Sequence, residues 1–431
     1  MNIAILGYGV EGESVYKYYR TKYPDAVITV YDNNSQPKNP LPSDVKFVGG
    51  VKDFKGIVAD LAVKTPAISP DQVQVTGEVT TMAREFLKVC PAQTIGVTGT
   101  KGKGTTCSLI KSILDTAGKR AWLVGNIGIG AFDVLHQIKP SDIVVYELSS
   151  FQLWDIDVSP HVAVVLGVEP EHLDVHKDLD DYVGAKANIA KHQKPEDLTI
   201  YLQGNQYSEL IAKQSPGKTM AYPSDDAGHV REGKFYYGEQ ELCSVASLKL
   251  PGVHNRENAC AAISAVWPWV RDGNEIERGL LAFQGLPHRL KLVKDVNEVE
   301  YYDDSIATTP GSAIAAIKSF EAPKILILGG SDKGASYGEL AQAVMDNVDS
   351  MRRVLLIGTE APKIEAALKE VGFARYNRYD TTLKMDEIVK TAAATAEPGD
   401  VVILSPACAS FDMFKDYADR GNQFIQAVES L

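Results

Sequence analysis

The sequence predicts an α/β fold made of three parts: a Rossmann-like first part, a central part with a phosphate-binding loop and a parallel sheet, and a Rossmann-like α/β third part. Apolar β-leaning runs alternate with helical periodicities along the whole chain, which is the pattern of βαβ units. Glycine-rich turns follow predicted strands at residues 7–12 and 99–104. A length of 431 residues corresponds to roughly two or three domains of ~150 residues. We place the parts at residues 1–88, 89–285 and 286–431.

The composition indicates an ordinary globular protein. Hydrophobic residues make up 45% of the chain and charged residues 23%, which suits a sizeable core. The formal net charge of −12 argues against binding to nucleic acid or to an anionic membrane. The five cysteines lack metal-ligand spacing, and no run reaches the ~18 apolar residues of a membrane span. Because a strand begins at residues 1–3, which leaves no room for a signal peptide, we expect a cytoplasmic protein.

The first part begins with a Rossmann fingerprint. A buried strand at residues 2–6 is followed by the glycine turn 7–12 and a helix to about Tyr23. A second strand, residues 26–31, ends at Asp32, an acid that could bond a ribose hydroxyl or a base edge. Taken alone, this pattern suggests NAD. The alternative is a glycine turn that packs a helix without any ligand.

The central part begins with a phosphate-binding loop at residues 94–106. An apolar strand leads into Gly99-Thr-Lys-Gly-Lys-Gly-Thr-Thr106, and a helical pattern follows from Cys107 to Ala117. Glycines let backbone N–H groups wrap a polyphosphate, while Lys103 reaches its outer phosphates. Two positions differ from the usual phosphate-loop pattern G-x-x-x-x-G-K-[ST]. Val97 replaces its first glycine, and Gly104 follows the lysine, so that the hydroxyl residue comes one position later, at Thr105. We interpret this loop as an ATP site; the alternative is a glycine-rich turn with an exposed lysine.

The remaining elements alternate, which implies parallel sheets in all three parts. Further strands are predicted at residues 121–124, 143–147, 162–168, 198–202, 298–302, 324–328, 353–357 and 400–404. Further helices are predicted at residues 182–192, 255–270, 311–320, 361–371 and 385–396. Residues 219–248 combine short β runs with turn residues and predict a small side sheet.

Residues with ligand chemistry follow the predicted strands, where α/β folds bind their ligands. Glu147 ends one strand, and a carboxylate there can hold Mg²⁺ beside the phosphates as Walker-B acids do; otherwise it is a surface acid. His172 lies just past another strand, although most single histidines are structural. Lys186 resembles an ordinary helix lysine. Asn258 could bond an adenine edge or simply cap a helix, and Arg289 is placed to reach a phosphate.

Three further loops follow strands of the third part. They comprise residues 303–310, 329–334 and 404–412. Each could be a capping loop, but three loops on one sheet edge predict a shared cleft.

A series of segments in order along the chain resembles the Mur ligase family, the ATP-dependent amino-acid ligases of peptidoglycan precursor synthesis. The segments E-L-S-S-F-Q-L (147–153) and S-P-A-C-A-S (405–410) are most similar to the D-glutamate-adding members. The others are G-T-K-G-K-G-T-T (99–106), G-N-I-G (125–128), E-H-L-D (171–174), D-Y-V-G-A-K (181–186), H-N-R-E-N (254–258), P-H-R-L (287–290), D-S-I-A-T-T (304–309) and G-G-S-D-K-G (329–334).

The resemblance implies a set of site residues. UDP of the muramoyl substrate would bind at Gly9, Val10 and Asp32, and its muramoyl-alanine part at Asn126, Ser149 and Gln152. The ATP site would comprise Gly99, Thr100, Lys101, Gly102, Lys103, Gly104, Thr105, Thr106, Asn258, Arg289 and Asp304. Two Mg²⁺ ions would be held by Thr105, Glu147, His172 and a carbamylated Lys186. The amino acid would bind at Thr308, Lys333, Ser410 and Tyr417.

The resemblance also implies the reaction, the addition of D-glutamate to UDP-MurNAc-L-Ala by a monomer that needs no nucleic acid or membrane. The substrate carboxylate would attack the γ-phosphate of ATP and give an acyl phosphate, while Lys103 and Mg²⁺ offset the developing charge. The glutamate amine would then displace phosphate. Closure of the third part would bring Arg289, Asp304 and Lys333 to the reacting groups and exclude water.

Departures from the family pattern leave alternatives open. Ile306 occupies the position of a lysine that helps to hold the glutamate side-chain carboxylate, and Thr309 replaces an asparagine, so a ligase that adds L-glutamate or another amino acid is the main alternative. Gly104 matches a glycine in the phosphate loop of folylpolyglutamate synthases, which reads G-K-G-S. The UDP-type first part argues against folate as the substrate. A NAD-dependent oxidoreductase would leave residues 94–106 unexplained. A non-catalytic protein on this scaffold would not need Lys103, Glu147, His172 and Lys186 together.

Overall fold

The computed structural model describes residues 1–37, 39–332 and 334–431, and these form two compact units. The first unit comprises Met1–Ser247 and Arg256–Phe283, and the second comprises Leu248–Asn255 and Gln284–Leu431. Both units are α/β structures built on parallel sheets, so the predicted fold class is confirmed. Lys333, which we placed in the amino-acid site, lies outside the described residues.

The first sheet of the first unit has five parallel strands in the order β3-β2-β1-β5-β7. Its elements are β1 (Asn2–Leu6), α1 (Val10–Lys22), β2 (Val27–Asp32), β3 (Lys46–Gly49), β4 (Phe54–Ile57), β5 (Leu61–Lys64), β6 (Val73–Val75), β7 (Glu78–Thr81) and α2 (Met82–Val89). Strands β4 and β6 pair separately. The central strands β1 and β5 are buried almost throughout, as expected for a parallel sheet covered on both faces.

The second sheet of this unit has six parallel strands in the order β13-β12-β11-β8-β10-β9. Its elements are β8 (Gln93–Thr98), α3 (Lys103–Thr116), β9 (Ala121–Gly125), α4 (Ala131–Leu135), β10 (Ile143–Glu147), α5 (Ser150–Leu153), β11 (Val162–Val165), α6 (Leu179–Lys191), β12 (Leu198–Leu202), α7 (Gln206–Ala212), β13 (Lys218–Tyr222), β14 (Gly228–Arg231), β15 (Lys234–Tyr237), β16 (Gln240–Ser244), α8 (Val253–Val266, of which Arg256 onward belongs to this unit) and α9 (Gly273–Ala282). The predicted side sheet is the antiparallel set β14 to β16, whereas β13 joins the main sheet.

Helices α3 and α8 differ most from their predicted limits in this unit. Helix α3 begins at Lys103 instead of Cys107, because Gly102 adopts a left-handed conformation (φ 84°) and caps the helix immediately after the loop. Helix α8 ends at Val266 instead of Val270. Pro268 follows, and a proline disfavours helical geometry in the residue before it and lacks an amide hydrogen.

The second unit has a six-stranded sheet in the order β17-β18-β22-β19-β20-β21. Its elements are β17 (Lys291–Val296), β18 (Val299–Asp303), α10 (Pro310–Lys318), β19 (Lys324–Gly329), α11 (Gly338–Asp346), β20 (Met351–Ile357), α12 (Ala361–Glu370), β21 (Tyr376–Arg378), α13 (Met385–Thr395), β22 (Val401–Leu404) and α14 (Tyr417–Glu429). The edge strand β17, which the sequence analysis did not predict, pairs antiparallel with β18. The cause is a two-residue hairpin turn in which Asn297 and Glu298 both have positive φ, as a type I′ turn requires.

Across the described ranges, no helix combines the length and the apolar composition that crossing a membrane requires.

Helices α3 and α9 pack closely through Gly279, and this contact yields a stability prediction. A Cβ atom at Gly279 would lie 2.5 Å from the Cα atom of Ile113, so Gly279→Ala should lower the free energy of unfolding by about 1–3 kcal/mol. Gly184→Ala in α6 is the matched control. No atom lies within 4 Å of a Cβ there, so this change should raise the free energy of unfolding by about 0.5–1 kcal/mol. Urea unfolding measures the free energy of unfolding of both variants. Equal stability of Gly279→Ala and Gly184→Ala would contradict the close packing at Gly279.

Candidate active site

The loop after β8 is shaped by glycines that no other residue could replace. Gly99 has φ 153° and Gly102 has φ 84°. A Cβ atom at Gly99 would lie 2.7 Å from Cβ of Leu166, and one at Gly102 would lie 2.4 Å from Oδ1 of Asn258. The loop therefore runs tightly against β11 and α8 and enters α3 with its amides at the helix N-terminus, the usual geometry for binding phosphate.

Two lysines converge on the backbone oxygen of Gly99. Nζ of Lys103 donates hydrogen bonds to the carbonyl oxygens of Gly99 and Thr100, both at 3.0 Å. Nζ of Lys186, from α6, donates to the same Gly99 oxygen at 2.9 Å. The structure thus brings together the phosphate-loop lysine and a lysine that sequence reasoning alone would pass over.

The surroundings of Lys186 disfavour its charged form. The residue is only 2% exposed, and its Nζ lies 4.6 Å from the ring centre of Tyr182. Burial, and secondarily the positive charge of Lys103, lower the pKa of Lys186 from 10.5 to about 7, whereas Glu171 acts in the opposite direction. A large fraction of Lys186 is therefore a neutral amine near pH 7, which is a nucleophile.

The predicted ATP-binding residues of this loop are anchored to different degrees. The hydroxyl group of Thr100 bonds the backbone of Glu169 (2.8 and 3.0 Å) and the hydroxyl of Tyr182 (3.0 Å). Lys101 is exposed, whereas Thr105 is buried and Thr106 is fully buried. The Thr106 hydroxyl donates to Asn258 at 3.3 Å, so Asn258 lies against the loop. Gly104 is the second residue of α3.

The predicted metal ligands follow neighbouring strands of the same sheet. Glu147, 8% exposed, ends β10 and pairs in register with Val97, two residues before Gly99. His172 follows β11 in a left-handed conformation (φ 57°), and its Nε2 lies 3.7 Å from a carboxylate oxygen of Glu171. A non-glycine residue at positive φ is uncommon and often marks a functional position.

The donor set suits one kind of metal ion. Among the residues that the structure describes, no group of three or more His, Cys, Asp or Glu side chains could hold a metal by itself. Mg²⁺ usually takes one or two protein ligands and completes its octahedron with water and substrate phosphates. Glu147 and the hydroxyl of Thr105, beside a phosphate loop, fit that requirement.

The first glycine turn is held by Asp32. One carboxylate oxygen of Asp32 accepts from the backbone N–H of Tyr8 at 2.8 Å, and the other accepts from the backbone and side chain of Asn34. Gly9 caps α1, a Cβ atom there would meet nothing within 4 Å, and Val10 is 81% exposed. The N-terminus of α1 is therefore open to a ligand.

Of the predicted muramoyl-site residues, Ser149 and Gln152 form the capping box of α5. Nε2 of Gln152 donates to Glu11 of the first glycine turn at 2.9 Å, and its Oε1 accepts from the backbone of Ser149 at 3.0 Å. Burial raises the pKa of Glu11, although the Gln152 bond favours its ionised form. Asn126 is exposed after β9. Glu11 was not singled out, because a glutamate in a glycine turn has no distinctive sequence signal.

In the second unit, Asp304 follows β18 and is almost fully buried. It accepts hydrogen bonds from the Ser405 hydroxyl at 2.7 Å and from the Leu290 backbone at 3.0 Å. Burial raises the pKa of Asp304 to about 7, against the effect of these bonds. Arg289 is exposed and Thr308 is half-buried.

Sequence reasoning missed Arg420, which organises the predicted amino-acid residues. Its side chain is fully buried and donates to the hydroxyl of Ser305 at 2.9 Å and to the carbonyl oxygens of Cys408 and Ala409. The Ser305 hydroxyl donates in turn to the Tyr417 carbonyl at 2.7 Å. Arg420 thus joins the strand-end loops that carry Asp304 and Ser410. The sequence offers one clue to this role, namely that Arg420 lies one helical turn after Tyr417 on the same helix.

Comparisons with known proteins give one family. The Mur ligase middle domain matches residues 97–266, and the Mur ligase glutamate ligase domain matches residues 288–408. A protein of Clostridium tetani is 38% identical over 86% of this chain and 83% of its own length. One of Acetivibrio thermocellus is 37% identical over 100% of this chain and 96% of its own length. Both are named UDP-N-acetylmuramoylalanine--D-glutamate ligase.

Solved structures with little sequence identity share the fold. UDP-N-acetylmuramate-alanine ligase MurC from Thermotoga maritima is 20% identical, with a TM-score of 0.62 over 100% of this chain and 99% of that chain. MurF ligase from the same organism, solved in complex with ADP, is 16% identical, with a TM-score of 0.61 over 99% of this chain and 94% of that chain. From the two domain matches and the relatives aligned along its length, we conclude that this chain belongs to the Mur ligase family.

Proposed function

We propose that this chain is an ATP-dependent amide-bond-forming ligase that joins D-glutamate to UDP-N-acetylmuramoyl-L-alanine, a step of peptidoglycan precursor synthesis. The observation that carries the proposal is its 37% identity, along the whole chain, to a ligase named for this reaction. The paired lysines at the phosphate loop support it. In this proposal residues 1–88 bind the UDP substrate, 89–285 bind ATP and 286–431 bind the amino acid, and the protein works in the cytoplasm as a monomer.

The phosphate loop supplies positive groups for ATP. Backbone amides of Gly102 to Thr105 line the N-terminus of α3, where the helix dipole favours phosphate. Lys103 exchanges its bonds to Gly99 and Thr100 for the transferring phosphoryl oxygens, whose charge increases in the transition state. Asn258 contacts the nucleotide beside the loop. Arg289 and Asp304 are also proposed nucleotide-binding residues.

The acidic and hydroxyl donors form the magnesium site. Thr105, Glu147, His172 and carbamylated Lys186 would hold the two Mg²⁺ ions. The bound ions would supply positive charge that offsets the charge of the phosphates. The positive φ of His172 is consistent with a residue held in place for such a role.

Carbamylation of Lys186 is supported by its burial and by its neutral amine. The amine attacks carbon dioxide, a C–N bond forms and one proton is released, which turns a potential cation into an anion. The product pairs with the adjacent Lys103 ammonium group, whose Nζ shares the Gly99 oxygen with Lys186.

The proposed reaction has two steps, activation of the substrate carboxylate and formation of the amide bond. The terminal carboxylate of the UDP substrate attacks the γ-phosphorus, the bond to the β-γ bridging oxygen breaks, and ADP leaves. The neutral glutamate amine attacks the carbonyl of the acyl phosphate, and the tetrahedral intermediate expels inorganic phosphate. The open N-terminus of α1 and Asp32 receive the UDP group, with Asn126, Ser149 and Gln152 next to the muramoyl-alanine part.

The amino-acid site is where a second candidate substrate has support. Thr308, Lys333, Ser410 and Tyr417 are proposed to bind the amino acid. Ile306, half-buried in the same region, cannot pair with a side-chain carboxylate. This substitution favours L-glutamate or another amino acid as the second candidate.

Phosphate release from ATP with UDP-MurNAc-L-Ala distinguishes these substrates. We expect release with D-glutamate at a higher kcat/KM than with L-glutamate. A preference for L-glutamate, reversed in Ile306→Lys, would establish the second candidate. No release with any amino acid would overturn the ligase proposal.

Replacement of Lys186 tests its chemical role. Lys186→Ala should lower kcat by at least about 100-fold, because it removes a preorganised anion next to the phosphates, and excess bicarbonate should not restore activity. Lys191→Ala, an exposed lysine on the same helix, is the matched control and should keep wild-type activity. A carbamate carbon signal from ¹³C-bicarbonate should appear in the wild type and disappear in Lys186→Ala; near-normal turnover of that variant would refute the carbamate.

The pKa of Lys186 predicts a pH dependence of stability in bicarbonate-free buffer. Because this pKa falls from 10.5 unfolded to about 7 folded, the unfolded state binds more protons between these values. Raising the pH from 7 towards 10.5 should therefore stabilise the wild type relative to Lys186→Met. Between pH 7 and pH 9 we expect roughly 2 kcal/mol in the free energy of unfolding. Urea unfolding at both pH values measures it, and a constant difference would contradict the neutral amine.

A further inference from the structure

His176 is a buried imidazole whose two nitrogen atoms both have partners. Its side chain is fully buried. Nδ1 lies 2.9 Å from Oδ2 of Asp181, and Nε2 lies 3.0 Å from Oγ of Ser150. An ionised carboxylate only accepts, so Nδ1 carries a proton and donates to Asp181, while Nε2 pairs with the Ser150 hydroxyl. These contacts fix the orientation of the ring.

Aromatic rings enclose the imidazole. Phe151 stacks on it at 5.3 Å between ring centres with an interplanar angle of 12°, and Trp154 lies at 4.2 Å. Tyr182 packs edge-on at 5.2 Å. Nε1 of Trp154 also donates to the second carboxylate oxygen of Asp181 at 3.1 Å. We call Ser150, His176 and Asp181, with these rings, the imidazole clamp.

The clamp joins the three segments that carry the proposed metal ligands. Ser150 is three residues after Glu147, at the start of α5. The backbone N–H of His176 donates to the carbonyl oxygen of His172 at 2.9 Å, which closes the turn in which His172 has its positive φ. Asp181 lies on α6, five residues before Lys186. Glu147, His172 and Lys186 therefore each lie within five residues of a member of the imidazole clamp.

A Ser-His-Asp set also resembles a nucleophilic triad, and the burial of Ser150 decides against that role. Ser150 is only 2% exposed and its hydroxyl is directed at an imidazole enclosed by aromatic rings. A nucleophile needs an open position for the acyl carbon and donors for the oxyanion. The set is therefore suited to hold segments in place.

We propose that His176 is a positioning residue whose two hydrogen bonds set the spacing of the segments bearing Glu147, His172 and Lys186. This inference rests on the proposed ligase function. Supporting groups behind metal ligands typically contribute 10–100-fold to metal affinity or activity. Loss of the clamp should therefore affect the metal and the phosphoryl transfer step, and leave the binding of the UDP substrate unchanged.

The test compares variants that keep the ring stack with variants that keep a polar group. His176→Phe preserves the aromatic packing and removes both hydrogen bonds. We expect about a tenfold higher Mg²⁺ concentration for half-maximal activity, a kcat lowered about 10–100-fold and an unchanged KM for UDP-MurNAc-L-Ala. Mn²⁺ binding in the presence of ADP, followed by electron paramagnetic resonance, should weaken about tenfold. His176→Asn, which can still reach Asp181, should recover part of each loss.

Trp122→Phe is the matched control, since it removes a side-chain bond of the same kind (to Asp142, 2.9 Å) from β9 of the same sheet. It should lower stability and leave the metal dependence unchanged. If His176→Phe does not fold, Ser150→Ala removes only the Nε2 partner and should shift Mn²⁺ binding in the same direction. Wild-type metal binding and kcat in a folded His176→Phe or Ser150→Ala would overturn the inference. An inactive wild type would instead contradict the proposed function.

Discussion

The carbonyl oxygen of Gly99 is the point at which the proposed site is held together, because the Nζ atoms of two lysines both donate to it. Lys103 reaches it from the start of α3 at 3.0 Å, and Lys186 reaches it from α6 at 2.9 Å. Burial, and secondarily the positive charge of Lys103, lower the pKa of Lys186. In the proposed function, the neutral amine that this shift favours is the group that accepts carbon dioxide.

The neighbouring elements hold this pair in place. Tyr182 packs under Lys186 and bonds the Thr100 hydroxyl at 3.0 Å, so α6 contacts the phosphate loop through both residues. Glu147 lies in register with the strand that precedes the loop. From Ser149, a chain of hydrogen bonds runs through Gln152 to Glu11 in the first glycine turn. These contacts connect the loop proposed to bind ATP with the loop proposed to bind the UDP substrate.

Local rules were enough to predict much of the fold and part of the site. Buried strands and glycine turns have strong signals within a few residues, so β1, β8 and β10 and the loop at Gly99 to Thr106 could be located from the sequence. The antiparallel edge strand β17 could not, because its turn uses Asn297 and Glu298 without the usual glycine. The environments of Lys186, His176 and Arg420 also escaped prediction, since each arises from contacts between segments distant in sequence. Family resemblance supplied Lys186 where residue type alone did not.

In the proposed function, ATP activates the substrate carboxylate at this loop. The transfer of ¹⁸O from the carboxylate to inorganic phosphate tests this activation most directly. UDP-MurNAc-L-Ala labelled with ¹⁸O in the alanine carboxylate is allowed to react once with ATP and D-glutamate. If an acyl phosphate forms, one labelled oxygen passes to inorganic phosphate for each amide bond made, and the other stays in the amide carbonyl. Amide formation that releases only unlabelled phosphate would contradict the account.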